Sequence, residues 1–418
     1  MLDFEPLPID EAIEFWRDKV QLSSRQFRQL SDAAKNLAFA VSGIAKGDEL
    51  TTVFEAMNGA IAKGDSFGEF KKQCREIIER RGWTGKKAWR VDNIFRTNIQ
   101  TAYSVGRYRQ MMEVAQTRPY WQYSAVNDAR TRPTHRALHG RVFPADHPFW
   151  KTWYPPNGYN CRCGVVTLSK AEMEREGLTA ETQDPTGRLI EPIDPKTGNR
   201  MLARPLMPDP GFAHNPGETV WGGLVDAASR PGTWTAMPNL RGPADYRRRA
   251  LENVRPAEIA DFDETMLLAR GKGDAFYKKA FVERYGEEKL LADAVGEPVI
   301  LSLRAYLEDK SPGAEEAWKF SKGGHGESIP LLEKMISDPY EIWLTPQINE
   351  AGRIRLAKRY IALWKTANRE RIGGYAALEV ADGSFQGVTA FLPLKKGKPA
   401  VEYVEVQRLG LLLFRRGR

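Results

Sequence analysis

Trp121 to Cys163 reads WQYSAVNDARTRPTHRALHGRVFPADHPFWKTWYPPNGYNCRC. Its short aromatic and proline-rich segments interrupt the helical spacing that precedes them. WQYSAV and, at the far end, CRCGVVTLS read as strands, while TRPTHRALHG reads as one or two helical turns with Pro133 in the first turn and Gly140 at the C′ position. The expected product is a small, irregular α+β module. The stretch also gathers Asp128, His135, His139, Asp146, His147, Cys161 and Cys163 within 36 positions, including three of the five histidines and two of the three cysteines. Neutral imidazole and thiolate are preferred zinc ligands and a site needs four donors, so His135, Cys161 and Cys163 with either Asp128 or His139 are candidates for a structural Zn2+. Cys-x-Cys is not the usual spacing, because alternate residues of a strand point to opposite faces. In the competing reading both cysteines pack as small apolar residues and the histidines bond aspartates to pin the loops. A His-Asn nuclease on His135, Asn157 and Asn160 lacks the strand and helix order around it that such a site needs.

Upstream, Ile13, Phe15, Trp16, Val20, Phe27 and Leu30, then Val53, Phe54, Met57 and Ile61, then Val91, Ile94, Phe95, Ala102 and Val105 recur near a 3.6-residue period. A helical region over 1–118 is expected, with Asp10, Ser31 and Asp65 as N-caps and Gly43, Gly47 and Gly82 as stops. The 418 residues carry a net charge of +8, and Gly68 to Gln110 alone holds eleven Lys or Arg against four Asp or Glu. Lys86, Lys87, Arg90 and Arg96 are therefore candidates for contact with a polyanion, nucleic acid above all, against the plainer reading of a solvated helix face. Three cysteines exclude a disulfide framework. No window approaches 18 uninterrupted apolar residues and the acidic start MLDFEPLPIDEAIEF is unlike a signal peptide, so neither a membrane span nor secretion is expected.

Downstream, the α+β module is expected over 119–183 and a proline-rich arm over 184–260, marked by DPKTGN, PDPG and NPG turns. From 261 to 418 helical spacing through Phe276, Phe281, Tyr285, Leu290 and Leu291 gives way to EPVILSL, a helix near Pro330 to Ile336, and four strand-like runs, EIWLT, RLAKRYIALW, GYAALEVAD and GVTAFLP. A helical lead and an antiparallel meander predict an α+β domain. The whole is a multidomain α+β protein.

The run D-x-RTRP-x-H-x-x-L-x-G, then HPFW, then PPNGYNCRC, preceded by IFRTNIQTAYSVGRY, closely resembles the Mu-type minor head proteins of tailed phages, the head-morphogenesis family, over Lys87 to Ser169. The resemblance implies a virion protein at the portal vertex, acting in capsid assembly or DNA packaging, with portal and capsid proteins and packaged DNA as partners. PVILS, FSKGGHGESIPLLEKMISDPYEIWL, RLAKRYIAL, GYAALEV and GVTAFLP, spread over Pro298 to Glu405, resemble the phage barnase, EndoU, colicin and RelE-like nuclease superfamily. That implies an RNase-like fold and cleavage of host RNA without a metal cofactor.

The residues agree with such chemistry, which needs a base for the 2′-hydroxyl, an acid for the leaving 5′-oxygen and a cation for the phosphorane. His325, the lone histidine of this half, sits in KGGHGES; Lys319 and Lys322 lie within a turn of it. Arg353, Arg355 and Arg359 flank a strand, and Thr389 offers a hydroxyl from the last strand of the meander. Against this stands a His325 that merely caps the following helix, arginines on a solvated strand, and a nuclease-like fold kept only for binding in a purely structural head protein. A free DNA-binding regulator is disfavoured, since no helix-turn-helix or RNA-recognition signature is present.

Overall fold

The computed structural model describes residues 9–194, 196–223, 235–237, 249–262, 264–307, 317–322, 324–349, 352–368, 370–381, 384–395 and 398–417. The chain divides into two compact units, Met1–Thr235 with Ile348–Ile354, and Ala236–Gln347 with Arg355–Arg418. Among the described residues no helix is long and apolar enough to cross a membrane.

The first unit begins with α1 (Asp10–Arg17), β1 (Val20–Gln21), α2 (Ser24–Phe27), α3 (Asp32–Lys35), β2 (Ala38–Phe39), α4 (Asp48–Lys63), α5 (Phe67–Gln73), α6 (Arg75–Arg80) and the 25-residue α7 (Trp89–Glu113). Trp16, Phe39 and Phe54 centre its core; Trp16 stacks on Phe54 with ring centroids 5.0 Å apart, and its Nε1 donates to the Phe54 carbonyl at 3.2 Å. Each such aromatic contributes roughly 1.5–3 kcal/mol by leaving water. Helix α7 comes close to α1 because Gly106 has no side chain: a Cβ there would lie 2.6 Å from Ile9 Cγ2. Ser31 caps α3 as expected, accepting the Ala34 N–H. Asp10 instead lies inside α1, and Ser66 rather than Asp65 caps α5, because Ser66 and Glu69 satisfy each other's end of a capping box. Gly47 is the N-cap of α4, not a stop.

After α7 come β3 (Tyr120–Ser124), α8 (Pro133–Arg136), β4 (Val142–Pro144), α9 (Phe149–Trp153), β5 (Gly164–Leu168) and α10 (Lys170–Arg175). Strand β3 runs antiparallel between β4 and β5. Its alternation turns Trp121 and Tyr123 inward onto Phe143, Phe149, Trp153 and the two cysteines. The chain then forms β6 (Leu189–Ile190), β7 (Arg204–Pro205) and α11 (Pro216–Trp221). This is where an extended arm was expected, yet Leu206 is fully buried in the small module's core and α11 packs on α7, with Gly217 so close to Tyr108 that a Cβ would sit 2.3 Å from its ring. Proline here shapes turns within a packed unit; the arm's residues 224–234 and 238–248 lie outside the described residues.

Then follow β8 (Thr235–Ala236), β9 (Ala260–Asp261), α12 (Asp274–Tyr285), β10 (Glu288–Ala292), β11 (Pro298–Ser302), α13 (Leu332–Ser337), β12 (Glu341–Ile348), β13 (Ile354–Lys365), β14 (Arg371–Ala381), β15 (Ser384–Phe391), β16 (Leu394–Lys395), β17 (Lys398–Pro399), α14 (Val401–Val406) and β18 (Leu411–Arg415). The main sheet has the order β10-β11-β15-β14-β13-β12-β18. β13, β14 and β15 form antiparallel neighbours as predicted, while β11 joins β15 in parallel. Leu290 and Leu291, expected to continue a helix, lie in edge strand β10, where Leu290 is 68% exposed. Buried ion groups lock the sheet: Arg408 grips both carboxylate oxygens of Glu341 at 2.7 and 2.8 Å, and Lys358 sits between Asp293 and Glu297.

Candidate functional site

In the first unit, Pro133 sets the first turn of α8, which carries His135 inward, and the chain from Asn157 to Cys163 wraps beneath it before β5 begins at Gly164. Cys161 and Cys163 precede the strand, so the opposite-face constraint on Cys-x-Cys does not apply and both thiols turn to one side. His135 Nδ1 lies 3.8 Å from Cys161 Sγ and 3.5 Å from Cys163 Sγ, the three donor atoms fall within 4.8 Å of one another, and all three residues are buried. A tetrahedral zinc with Zn–S near 2.3 Å and Zn–N near 2.0–2.1 Å requires an N···S edge of about 3.5 Å. The group could hold a metal. Hydrogen bonding by the Cys163 thiol, then by His135 and the Asn157 N–H, draws the Cys161 thiol down to about 4, while Cys163 beside it is pushed up.

Neither expected fourth ligand joins them. The Asp128 carboxylate is clasped by the Arg162 guanidinium at 2.6 and 2.8 Å, which holds it well below the usual carboxylate range. His139 Nδ1 accepts the Ala125 N–H at 3.1 Å. His147 Nδ1 accepts the Phe149 N–H, so these two histidines do bond loops, though through backbone rather than aspartate. A cleft of about 410 Å3, lined by Gln100, Tyr103, Arg107, Tyr154, Arg162 and Cys163, opens alongside.

Of the basic candidates, Lys86 and Lys87 are exposed in a turn of 3-10 helix before α7. Arg90 donates to the Ser42 carbonyl at 2.7 Å, and Arg96 pairs with Asp92 one turn back at 2.6 Å. The segment thus presents two open lysines and two engaged arginines.

In the second unit, His325 occupies the turn between Phe320 and Ser328. Its glycine neighbours permit close approach: a Cβ at Gly324, where φ is +85°, would lie 1.9 Å from the Leu392 carbonyl oxygen, and one at Gly326 would lie 2.7 Å from the Tyr277 ring. The imidazole lies flat on Phe391, centroids 4.3 Å apart. Nδ1 is 3.0 Å from the Lys322 carbonyl and so carries the proton, which leaves Nε2 to accept from the Thr389 hydroxyl at 3.3 Å. His325 therefore meets the sheet rather than capping α13. Lys322 is exposed and Lys319 half-buried on the same turn. Arg355 bonds Gln347 at 2.8 Å and pairs with Glu379. Arg353 belongs to the stretch that groups with the first unit, where its Nε donates to the Val220 carbonyl at 2.9 Å. His325 and Thr389 are brought together, while Arg353 is not brought to them. Sequence reasoning passed over Tyr375 and Tyr403, which surround Phe391; only the register of β14 on β15 reveals them.

Two families of phage proteins match parts of the chain. Residues 51–166 match the family described as Phage Mu protein F like protein, and residues 275–415 match phage-Barnase-EndoU-ColicinE5/D-RelE like nuclease2. The chain carries both domains. It is 36% identical over 247 residues to the putative capsid assembly protein F of Escherichia phage Mu, covering 52% of this chain and 56% of that protein. It is 38% identical over 185 residues to the Mu-like prophage FluMu F protein of Haemophilus influenzae, covering 41% and 45%. The chain spans about half the length of the curated relatives it matches. No solved structure matches.

Proposed function

We propose that the chain is a minor head protein of a tailed phage, working at the portal vertex in capsid assembly or DNA packaging, and that its second unit is a ribonuclease acting on host RNA. The head role is supported by the Mu F-like domain and by the likeness to the putative capsid assembly protein F of phage Mu. It makes portal and capsid proteins and packaged DNA the partners, and the virion the location. His135, Cys161 and Cys163 would hold a Zn2+ that ties α8 to the lead of β5, a structural task that leaves the chemistry to the other unit.

The observation that carries the enzymatic reading is the His325–Thr389 contact inside a nuclease-like domain. His325 Nε2 takes the proton of the ribose 2′-hydroxyl as that oxygen attacks phosphorus. The P–O5′ bond breaks, the 5′-oxygen receives a proton from Lys322, and the products are a 2′,3′-cyclic phosphate and a 5′-hydroxyl. Lys319, on the turn that carries His325, and Arg355 would supply the positive charge that steadies the phosphorane. RNA cleavage by the full chain, scored for cyclic-phosphate ends, tests this. Absence of cleavage by zinc-loaded, folded protein would leave a purely structural head protein with an inactive nuclease-like fold.

A further inference from the structure

Trp89, the first residue of α7, is 62% exposed, the most open tryptophan among the described residues. A single exposed indole is ordinary on a protein surface. The footing of this one is not. Trp83, six residues earlier, is buried in the helical core, and the Arg90 guanidinium lies 5.2 Å from the Trp83 ring and 5.9 Å from the Trp89 ring. Arg90 Nη2 is fixed by the Ser42 carbonyl at 2.7 Å, while its buried Nε has no partner. Attraction between a held cation and the negative face of an indole steadies Trp89 from one side and leaves its ring open to solvent.

The surroundings are cationic. Lys86 and Lys87 are exposed in the 3-10 turn just before Trp89, and among the described residues neither meets a carboxylate. Asp92, the acid of the first turn of α7, is taken by Arg96 at 2.6 Å. Ala88 at the N-cap supplies no side-chain acceptor, so the positive end of a 25-residue helix adds to the two lysines. Open cations select an anion, and an open indole beside them selects a flat ring. A nucleic-acid strand with an unpaired base supplies both, phosphates to Lys86 and Lys87 and the base to Trp89. A duplex supplies only the phosphates, because its bases stack on one another. A membrane or a protein suits the turn less: residues 84–88 add no second large apolar side chain to enter a bilayer, and lysines are depleted from the cores of protein interfaces.

We propose that Trp89 is a stacking residue for unpaired bases, and that the turn from Thr84 to Arg90 takes single-stranded DNA, as at an overhanging DNA end, in preference to duplex. This rests on the reading of DNA as a partner and names the form of DNA that the turn selects. The test is equilibrium binding of the full chain to labelled oligothymidylate and to a long blunt-ended duplex at one salt concentration. The natural chain should bind the single strand more tightly. Trp89→Ala should weaken single-strand binding at least about tenfold, leave duplex binding within about twofold and melt close to the natural temperature, and Trp89→Phe should restore most of the loss. Oligothymidylate should quench the tryptophan fluorescence of the natural chain more than that of Trp89→Phe. Single-strand binding unchanged in Trp89→Ala, or equal affinity of the natural chain for both forms, overturns the proposal and leaves DNA as a partner. Binding of neither form overturns both. Trp89-dependent binding to vesicles of anionic phospholipid, without DNA binding, overturns it in favour of a membrane contact.

Discussion

His135 and His325 are both buried imidazoles carried on short turns behind a proline or between glycines, yet their surroundings divide them. His135 faces two sulfurs at 3.5 and 3.8 Å; His325 faces a hydroxyl at 3.3 Å and a carbonyl at 3.0 Å. Two thiols beside the imidazole form a group that could hold a metal. A carbonyl on Nδ1 fixes the tautomer and leaves Nε2 to accept protons. The nearest atoms thus suit the same side chain to a structural metal in one unit and to proton exchange in the other.

The sharpest way to break this contrast is to remove a sulfur. Cys161→Ser or Cys163→Ser should take the protein from about one zinc per chain to none by elemental analysis, while RNA cleavage persists. Cleavage that disappears with the metal would mean the two histidines are not independent. Next in size, His325→Ala should slow RNA cleavage by about 10²-fold or more with zinc content unchanged. Thr389→Val should produce a smaller loss in the same assay.

A third histidine serves as a control. His214 is partly buried, its Nδ1 has no partner, and desolvation lowers it to about 4, with Asp32, Lys19 and Lys35 as minor neighbours. Its folded value lies below the unfolded one, so the unfolded chain binds the extra proton between about pH 4 and 6.5. Stability of the first unit should rise across that window by on the order of 1–3 kcal/mol, and His214→Phe should flatten the rise in pH-dependent melting curves. The smallest effect belongs to the exposed lysines: Lys86→Gln with Lys87→Gln should reduce the salt slope of DNA affinity by about one per residue. An unchanged slope would make that segment a solvated face.

Much of the first site is legible in the sequence because its donors are crowded into one short stretch and a first-turn proline orients the helix that bears His135. That Asp128 stays out of the group is not legible, since Asp128 and Arg162 are 34 positions apart and nothing in the spacing reveals their pairing. In the second unit the strands are readable from β-branched and aromatic runs, but Leu290 and Leu291 fit either period over so short a span. Ser66 was readable after all, as the Ser-x-x-Glu of a capping box one residue beyond the Asp65 preferred.

The parallel pairing of β11 with β15 bears on the order of events during synthesis. The donors of the Cys/His cluster all lie between 135 and 163, whereas the main sheet cannot close until residues 384–391 arrive to fill the place between β11 and β14. Chains emerge from the ribosome N-terminal end first, and non-local strand pairings are slow to form. His325 therefore waits for Thr389, made 64 residues later, and their contact is among the last features of the nascent chain to exist. An interrupted chain that lacks Thr389 would thus hold the Cys/His group but not the His325–Thr389 contact.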